Sequence, residues 1–445
     1  MPDTSTIYRQ RQPLKTSYYQ CVEDHFDEFE RVYDERFSRQ YGFFRPYVRQ
    51  VISRYLDCGI LHNGFARVKC GDCGHEYLLA FSCKRRHFCP SCHQKRVVEF
   101  GEWLCGEVLK LVPHRHFVFS IPKILRRYFL YDRKLLSKLS KCAWETLKEL
   151  YSSVVPEDSA VPGAVIAIQT FGDFLGFNPH CHILCSDGCF YGNEMFRQAP
   201  FFDVKQLEKL FRHKVFKMLL KEGKITEDLV KMLMNWRHSG FNVFCGQRIL
   251  PSDDTAMENL ARYIIRASFS QERMTYLPDE SLVIYQSKDG KQEKSFDALE
   301  YIAALCSHVP NRGEQMARYY GYYSNVSRGK RKKDEQDEVI PQIIESSGSK
   351  EFRRNWARLI QKIYEVDPLV CPKCKGKMKV IAVIEDEDVI KKILIHLDLW
   401  DRKIRPPPKR PKQDLEYLDR SLDYSDSQIP VSEEHFYVDP VYPEI

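Results

Sequence analysis

The spacing of apolar residues changes period along the chain, and the changes mark its elements. Residues 15–57 place apolar side chains three and four apart and predict two helices. A cysteine-rich segment, 58–93, follows them. Helical spacing returns in FGEWLCGEVLKLV (100–112), gives way to a strand in HRHFVFSIP that ends at Pro122, and resumes over 131–153. The break VPEDSAVPG precedes two runs, AVIAIQTFG and HCHILCSDG, that read as strands joined by a short, turn-rich connection. Beyond them the pattern predicts helix over 203–237, strand in FNVFCGQRIL, helix over 253–267, strand in SLVIYQS and helix in KSFDALEYIAALCSHV. Residues 351–366 read as helix, and MKVIAVIEDEDVIKKILIHLDLW as a strand followed by a helix. This alternation predicts an α+β fold.

The formal charge of +7 is modest for 445 residues, but the excess is clustered in KILRRYFLYDRKLLSKLSK, SRGKRKK and RKIRPPPKRPK. Basic runs beside aromatics suit a phosphate backbone. The N-terminus, MPDTSTIYRQRQPLKTSYYQ, is polar and basic, and no stretch reaches the roughly 18 apolar residues that span a bilayer. The expectation is a cytoplasmic protein that does not engage a membrane.

Sixteen cysteines without an export signal point to reduced thiols and metal ligands, not to a disulfide framework. Cys70-x2-Cys73 and Cys89-x2-Cys92 are separated by fifteen residues, the spacing of a ribbon-like zinc site in which each pair forms a tight knuckle. Four thiolates close the coordination sphere, so this zinc is structural, and its module presents KRRHF and HQKR to DNA. Cys58, Cys83 and His87 are near enough in sequence to supply further ligands, as is His93. Cys371 and Cys374 form half a site with no matching partner pair.

In HCHIL, His180 and His182 fall on one face of a strand, where two imidazoles can hold one ion. A hairpin register that sets Phe171 opposite His180 also sets Gln169 opposite His182, making Gln169 a conditional third ligand. His114 and His116 share the same spacing but flank Arg115, which forces a charge onto a buried face, so that pair is the poorer candidate.

HCHIL followed some 80 residues later by ENLARYIIRASFSQERM resembles the HUH nucleases, in which two histidines flanking one residue act with a tyrosine on a helix. FSCKRRHFCPSC, PHRHFVFSIPK, QTFGDFLGFNPHCHIL, LARYIIR, CSHVPNRGEQMARYYGYYSN and CPKCKGKMKVIAVIEDEDVIKKIL extend the likeness over residues 18–400. Together they resemble the rolling-circle transposases of insertion-sequence family ninety-one and its common-region relatives.

That resemblance implies an N-terminal helical zinc-binding module, an HUH-type antiparallel sheet flanked by helices, and a small C-terminal extension. The corresponding divisions are N-terminal helices over 1–57, a zinc- and DNA-binding module over 58–110, a catalytic domain over 111–326, a charged linker over 327–350, an extension carrying the CPKC pair over 351–400, and a poorly ordered tail over 401–445.

It further implies a bacterial, DNA-associated enzyme that nicks single-stranded DNA at element ends and joins it to a target. Tyr263 is the implied nucleophile, forming a 5′-phosphotyrosine. His180 and His182, with Gln169, hold Mg²⁺ or Mn²⁺, while Arg262 and Arg266 steady the phosphate. Part of the family carries a second tyrosine four residues earlier; here that position is Asn259. A second transfer then needs the freed 3′-hydroxyl, a self-associated partner's tyrosine, or a reset site. Tyr319, Tyr320, Tyr322 and Tyr323, interleaved with Arg318 and Arg328, read as a base-stacking platform on a basic groove. The rival class is a non-catalytic zinc protein that binds DNA; the presence of His180, His182 and Tyr263 together favours an enzyme. A hydrolytic zinc enzyme is disfavoured, because the thiolate set is closed and no H-E-x-x-H helix occurs.

Overall fold

A computed structural model describes residues 13–336 and 368–400, apart from 86, 156, 158, 193, 194 and 201. The predicted helix over 351–366 and the tail beyond 400 lie outside the described residues.

The chain opens with α1 (Ser17–Arg36), α2 (Ser38–Tyr41) and α3 (Pro46–Leu56). Thr16 caps α1 by accepting from the Tyr19 amide, and the helix buries Tyr18, Tyr19, Val22, Phe26, Phe29 and Tyr33 along one stripe. Next come β1 (Phe65–Cys70), β2 (Glu76–Ala80) and α4 (Pro90–Trp103), which runs into a wider turn over Leu104–Val108. They are followed by β3 (His114–Ser120), α5 (Lys123–Tyr131), α6 (Lys134–Val154), β4 (Gly163–Phe171) and β5 (Phe177–Ser186). A small hairpin, β6 (Gly188–Tyr191) and β7 (Met195–Gln198), leads to α7 (Val204–Lys221), α8 (Glu227–Met234), β8 (Asn242–Ile249) and α9 (Asp254–Tyr263). The chain continues through β9 (Met274–Leu277), β10 (Leu282–Gln286), β11 (Glu293–Asp297), α10 (Ala298–His308), β12 (Ala317–Gly321) and α11 (Asn325–Gln336). The last elements are β13 (Met378–Ile384) and α12 (Glu387–His396).

The fold is α+β, with a central five-stranded antiparallel sheet in the order β12-β4-β5-β3-β8. Strand alternation gives this sheet two distinct faces. Phe117, Phe119, Ile166, Ile168, Cys181, Ile183 and Cys185 form the first, packed beneath α5, α6 and α7. The second carries Val165, Ala167 and Leu184, and is covered by Phe100 and Leu104 from the end of α4 and by Ala261 and Ile264 from α9. The helix of the cysteine-rich module thus lies directly against the helix that carries Tyr263.

Two departures from the expected organisation stand out. Residues 327–336 of the expected linker are helical, as part of α11. The CPKC segment is integrated into the N-terminal module, because β13 pairs with β1 in a sheet of order β13-β1-β2.

The β4–β5 hairpin also departs in register. Gln169 lies opposite His180 and Ala167 opposite His182, two residues from the expected pairing, and Phe171 pairs with Phe177. The turn sets Phe171 three residues short of its expected partner, and a bulge in which Asn178 and Pro179 together oppose Thr170 restores one of them; proline, which cannot donate to the ladder, is tolerated there. A tight turn closed by the Gly172 amide on the Gly176 carbonyl (2.8 Å) completes the hairpin. Because the shift is even, Gln169 stays on the histidine face.

His308, buried at the end of α10, pins this turn: its Nε2–H donates to the Leu175 carbonyl (2.9 Å) and its Nδ1 accepts from the Thr170 hydroxyl (3.2 Å). Burial holds its pKa down at about 4, and that of His114, buried against Tyr323, at about 4 as well. Both are neutral in the fold but protonate near 6.5 when unfolded, so stability present above pH 6.5 is lost as pH falls toward 4, by at most about 3 kcal/mol per group. Thermal midpoints recorded across that window should fall steeply in the wild type and less so in His308→Gln.

Candidate active site and zinc centres

Three imidazoles line the second face of the sheet. His180 and His182 alternate on β5, and His116 reaches them from β3, where Val118 is paired with His182 and His116 lies on the diagonal. Arg115, whose charge counted against the His114/His116 pair, is neutralised on the other face by the fully buried Asp187 (2.8 Å), which also binds Arg248. His116 is therefore part of the site, against expectation, and the H-x-H spacing in HRHFVF was the available signal.

The ring nitrogens form a chain. His180 Nδ1–H donates to the Asn178 carbonyl (2.7 Å), leaving its Nε2 lone pair facing His182 Nε2 at 3.1 Å. His182 Nδ1 lies 3.0 Å from His116 Nε2. Burial pushes all three pKa values down, His116 and His180 to about 4 and His182 to about 2, where the neighbouring His180 and His116 add to the effect. Neutral imidazoles are the ligating form. Two Nε2 atoms at 3.1 Å match neighbouring ligands on one ion, which at metal–nitrogen distances of roughly 2.1 Å sit about 3.0 Å apart. The donor set fits a divalent cation.

Tyr263 ends α9 on the same face, 37% exposed, its ring edge-on to His182 (5.4 Å between centroids) and to His116 (6.2 Å). Asp253 caps the start of α9. The end of α9 is held from two sides: Gln169 Nε2 donates to the Ile264 carbonyl (2.8 Å), and His93 of α4 bonds the Ile265 carbonyl through Nε2 (2.9 Å). These contacts satisfy carbonyls that a helix terminus leaves without partners. Gln169 Oε1 is buried without a hydrogen-bond partner, so the same amide that anchors the tyrosine helix keeps an oxygen available for a cation. Gln169→Ala should loosen the end of α9, measured as faster amide hydrogen exchange over 260–266.

Arg266 sits with its guanidinium carbon 4.6 Å above the Tyr263 ring and 5.6 Å above Phe171. Arg262 instead turns to Glu258 and packs over Gly101 of α4, where an added Cβ would come within 3.0 Å of its side chain. Arg318 is on the sheet face opposite the histidines, beside Ile166 and Tyr320. Arg328 stacks over Trp103 and Tyr319. Tyr319, Tyr320 and Tyr323 are buried and Tyr322 is stacked on Phe190 (3.7 Å), so these rings are packing groups and not an open platform for bases. Asn259 and Tyr263 share the exposed face of α9.

All sixteen cysteines are free thiols. The expected zinc quartet divides between two clusters. Cys89 and Cys92, at the start of α4, meet Cys58 and Cys83, with Sγ separations of 3.8 Å (Cys58–Cys89) and 3.6 Å (Cys83–Cys92). With Zn–S near 2.3 Å, a tetrahedral edge is about 3.8 Å, so this buried set suits zinc. Cys70 and Cys73 face Cys374 and Cys371 instead. The C-x2-C spacing identifies a knuckle but not which knuckles join. His87 and His93 are outside both clusters; the His87 amide donates to His93 Nδ1 (3.2 Å).

A model described as "Transposase zinc-binding domain" matches residues 25–121, and one described as "Putative transposase" matches residues 163–331. These matches support a transposase of insertion-sequence family ninety-one with an N-terminal zinc-binding domain. It is similar to the transposase for insertion sequence element IS801 of Pseudomonas savastanoi pv. phaseolicola, 22% identical over 77% of this chain and 85% of that one. It is also similar to "Putative transposase y4qJ" of Sinorhizobium fredii, 24% identical over 80% of this chain and 94% of that one. No solved structure matches it. As a transposase it processes DNA, and zinc is a structural component of its N-terminal module. Among the described residues no helix is long and apolar enough to cross a membrane.

Proposed function

We propose that this transposase nicks and rejoins single-stranded DNA through Tyr263, by rolling-circle transposition. The observation that carries the reading is the convergence of an exposed tyrosine on a pair of facing imidazole nitrogens, His180 Nε2 and His182 Nε2, 3.1 Å apart. His180 and His182, with Gln169 Oε1, would hold Mg²⁺ or Mn²⁺, which when bound polarises the scissile phosphate. Tyr263 Oη attacks in line: the Oη–P bond forms as the P–O3′ bond breaks, the phenol gives up its proton and the departing 3′-oxygen takes one up. Arg266, poised above the ring, offers its charge to the phosphate. The phosphotyrosine conserves the energy of the broken bond, so a 3′-hydroxyl from the target can attack it without a nucleotide cofactor.

His116 is a positioning residue, orienting His182 from behind. The zinc module contributes through α4, whose His93 holds the end of the tyrosine helix, as well as through DNA contacts made by its basic loops. Asn259 leaves Tyr263 as the one tyrosine on that helix, so a second transfer depends on the freed 3′-hydroxyl or on another copy of the chain.

The test is incubation of the purified chain with labelled single-stranded DNA carrying an element end, with and without Mg²⁺ or Mn²⁺, analysed on denaturing gels. Metal-dependent nicks with a free 3′-hydroxyl and a protein-blocked 5′ end are expected. Nicks leaving a free 5′-phosphate, or stable binding with no cleavage across several end sequences, would count against the reading.

A further inference from the structure

Besides the histidine site and the Cys58/Cys83/Cys89/Cys92 cluster, the described residues hold one more convergence of strong ligands. Cys70 Sγ lies 3.5 Å from Cys374 Sγ, and Cys73 Sγ 3.6 Å from Cys371 Sγ, although the partners are 304 and 298 residues apart in the chain. We infer that these four cysteines bind a second zinc ion, and that this ion clasps the C-terminal residues 369–400 to the N-terminal module.

The local geometry is that of two matched knuckles. CGDCGH and CPKCKG are each a C-x2-C pair followed at once by a residue with left-handed backbone, Gly74 (φ +70°) and Lys375 (φ +62°). Each turn is closed by one backbone bond across its base, Cys70 N–H to His75 O and Cys371 N–H to Gly376 O, both 2.8 Å. The knuckles pack so closely that a Cβ on Gly376 would fall within 1.9 Å of the Asp72 carboxylate. The Sγ separations match edges of a ZnS₄ tetrahedron, about 3.8 Å, and are far from the ~2.05 Å of a disulfide.

Packing alone is too small to explain the closure. The apolar cluster around the knuckles is Ala66, Val68, Val98, Met378 and Val380 beside Cys70 and Cys371, with Phe65, Leu78, Ile390 and Leu394 on the other side of the sheet. Units of this size depend on metals or disulfides for their stability. Four thiolates around Zn²⁺ leave a net charge of −2, and the two segments carry lysines at 69, 373, 375, 377 and 379 to offset it. Once clasped, β13 covers the edge of β1 that would otherwise be open.

The full chain purified in zinc should contain two zinc ions by elemental mass spectrometry, and Cys371→Ser/Cys374→Ser should contain one. Wild-type chain with a single zinc, or two ions retained in the double variant, overturns the inference. Should the variant be poorly folded, hydrogen exchange separates the cases. Loss of protection, at least tenfold, confined to 65–80 and 369–400, with β4 and β5 unchanged, is the expected pattern; protection of 378–384 that survives the substitutions overturns it.

Discussion

Tyr263→Phe should abolish the covalent protein–DNA adduct and lower strand cleavage by at least about a thousandfold, the scale on which loss of a nucleophile is felt. Only Oη is removed. The phenyl ring keeps its place under Arg266 and its edge contacts with His182 and His116, and Gln169 and His93 still hold the end of α9. Folding and single-strand binding should therefore match wild type within about twofold, since nothing that packs the helix has changed. Rapid-quench assays and fluorescence anisotropy on the same preparation separate the two quantities. Equal loss of binding and cleavage would mean that the ring, not its hydroxyl, is what matters.

His182→Ala is expected to reduce cleavage by about a hundredfold or more and to weaken divalent-ion affinity, because His182 is the middle member of the imidazole chain. The substitution removes a proposed ligand and also leaves His116 without the ring it contacts. His116→Ala should be milder, about 10- to 100-fold in metal affinity, the usual cost of losing an outer partner to a ligand. Excess Mn²⁺ should restore much of the His116→Ala rate and little of that of His182→Ala. Sensitivity to acid follows in sign: burial depresses the His180 pKa to about 4 and that of His182 to about 2, so protons do not compete with the cation until well below neutrality. Metal affinity, measured by calorimetry, should be nearly flat between pH 7 and 6. A fall tracking free imidazole, near 6.5, would contradict buried ligation.

What could be read from the chain was whatever local periodicity encodes. The helices of the N-terminal region, the β4–β5 hairpin, the facing pair His180 and His182, and a helix bearing Tyr263 all follow from spacing within some twenty residues. Long-range pairing decided the rest. His116 joins the site because β3 lies beside β5, and nothing in HRHFVF says which strand will be its neighbour. Arg115 looked like an obstacle only because Asp187, its buried partner 72 residues on, was out of view. Pro179 marks an interruption, but the net two-residue shift combines the turn with the bulge, and the spacing of the residues does not encode it. The cysteines show the same limit: each C-x2-C pair was legible as a knuckle, while the exchange of partners across 300 residues belongs to the tertiary fold. The tyrosine-rich run misled because interleaved aromatic and basic residues look alike whether the rings face solvent or, as with Tyr319 and Tyr323, pack beneath a helix.

The most direct test of the account is to locate the protein–DNA bond itself. Wild-type chain reacted with a short single-stranded element end in Mn²⁺ is digested with protease and nuclease, and the nucleotide-bearing peptide is sequenced by mass spectrometry. A single phosphodiester remnant on Tyr263, absent without the divalent ion, is the expected result. A nucleotide on any other tyrosine, or a serine or histidine linkage, would contradict it.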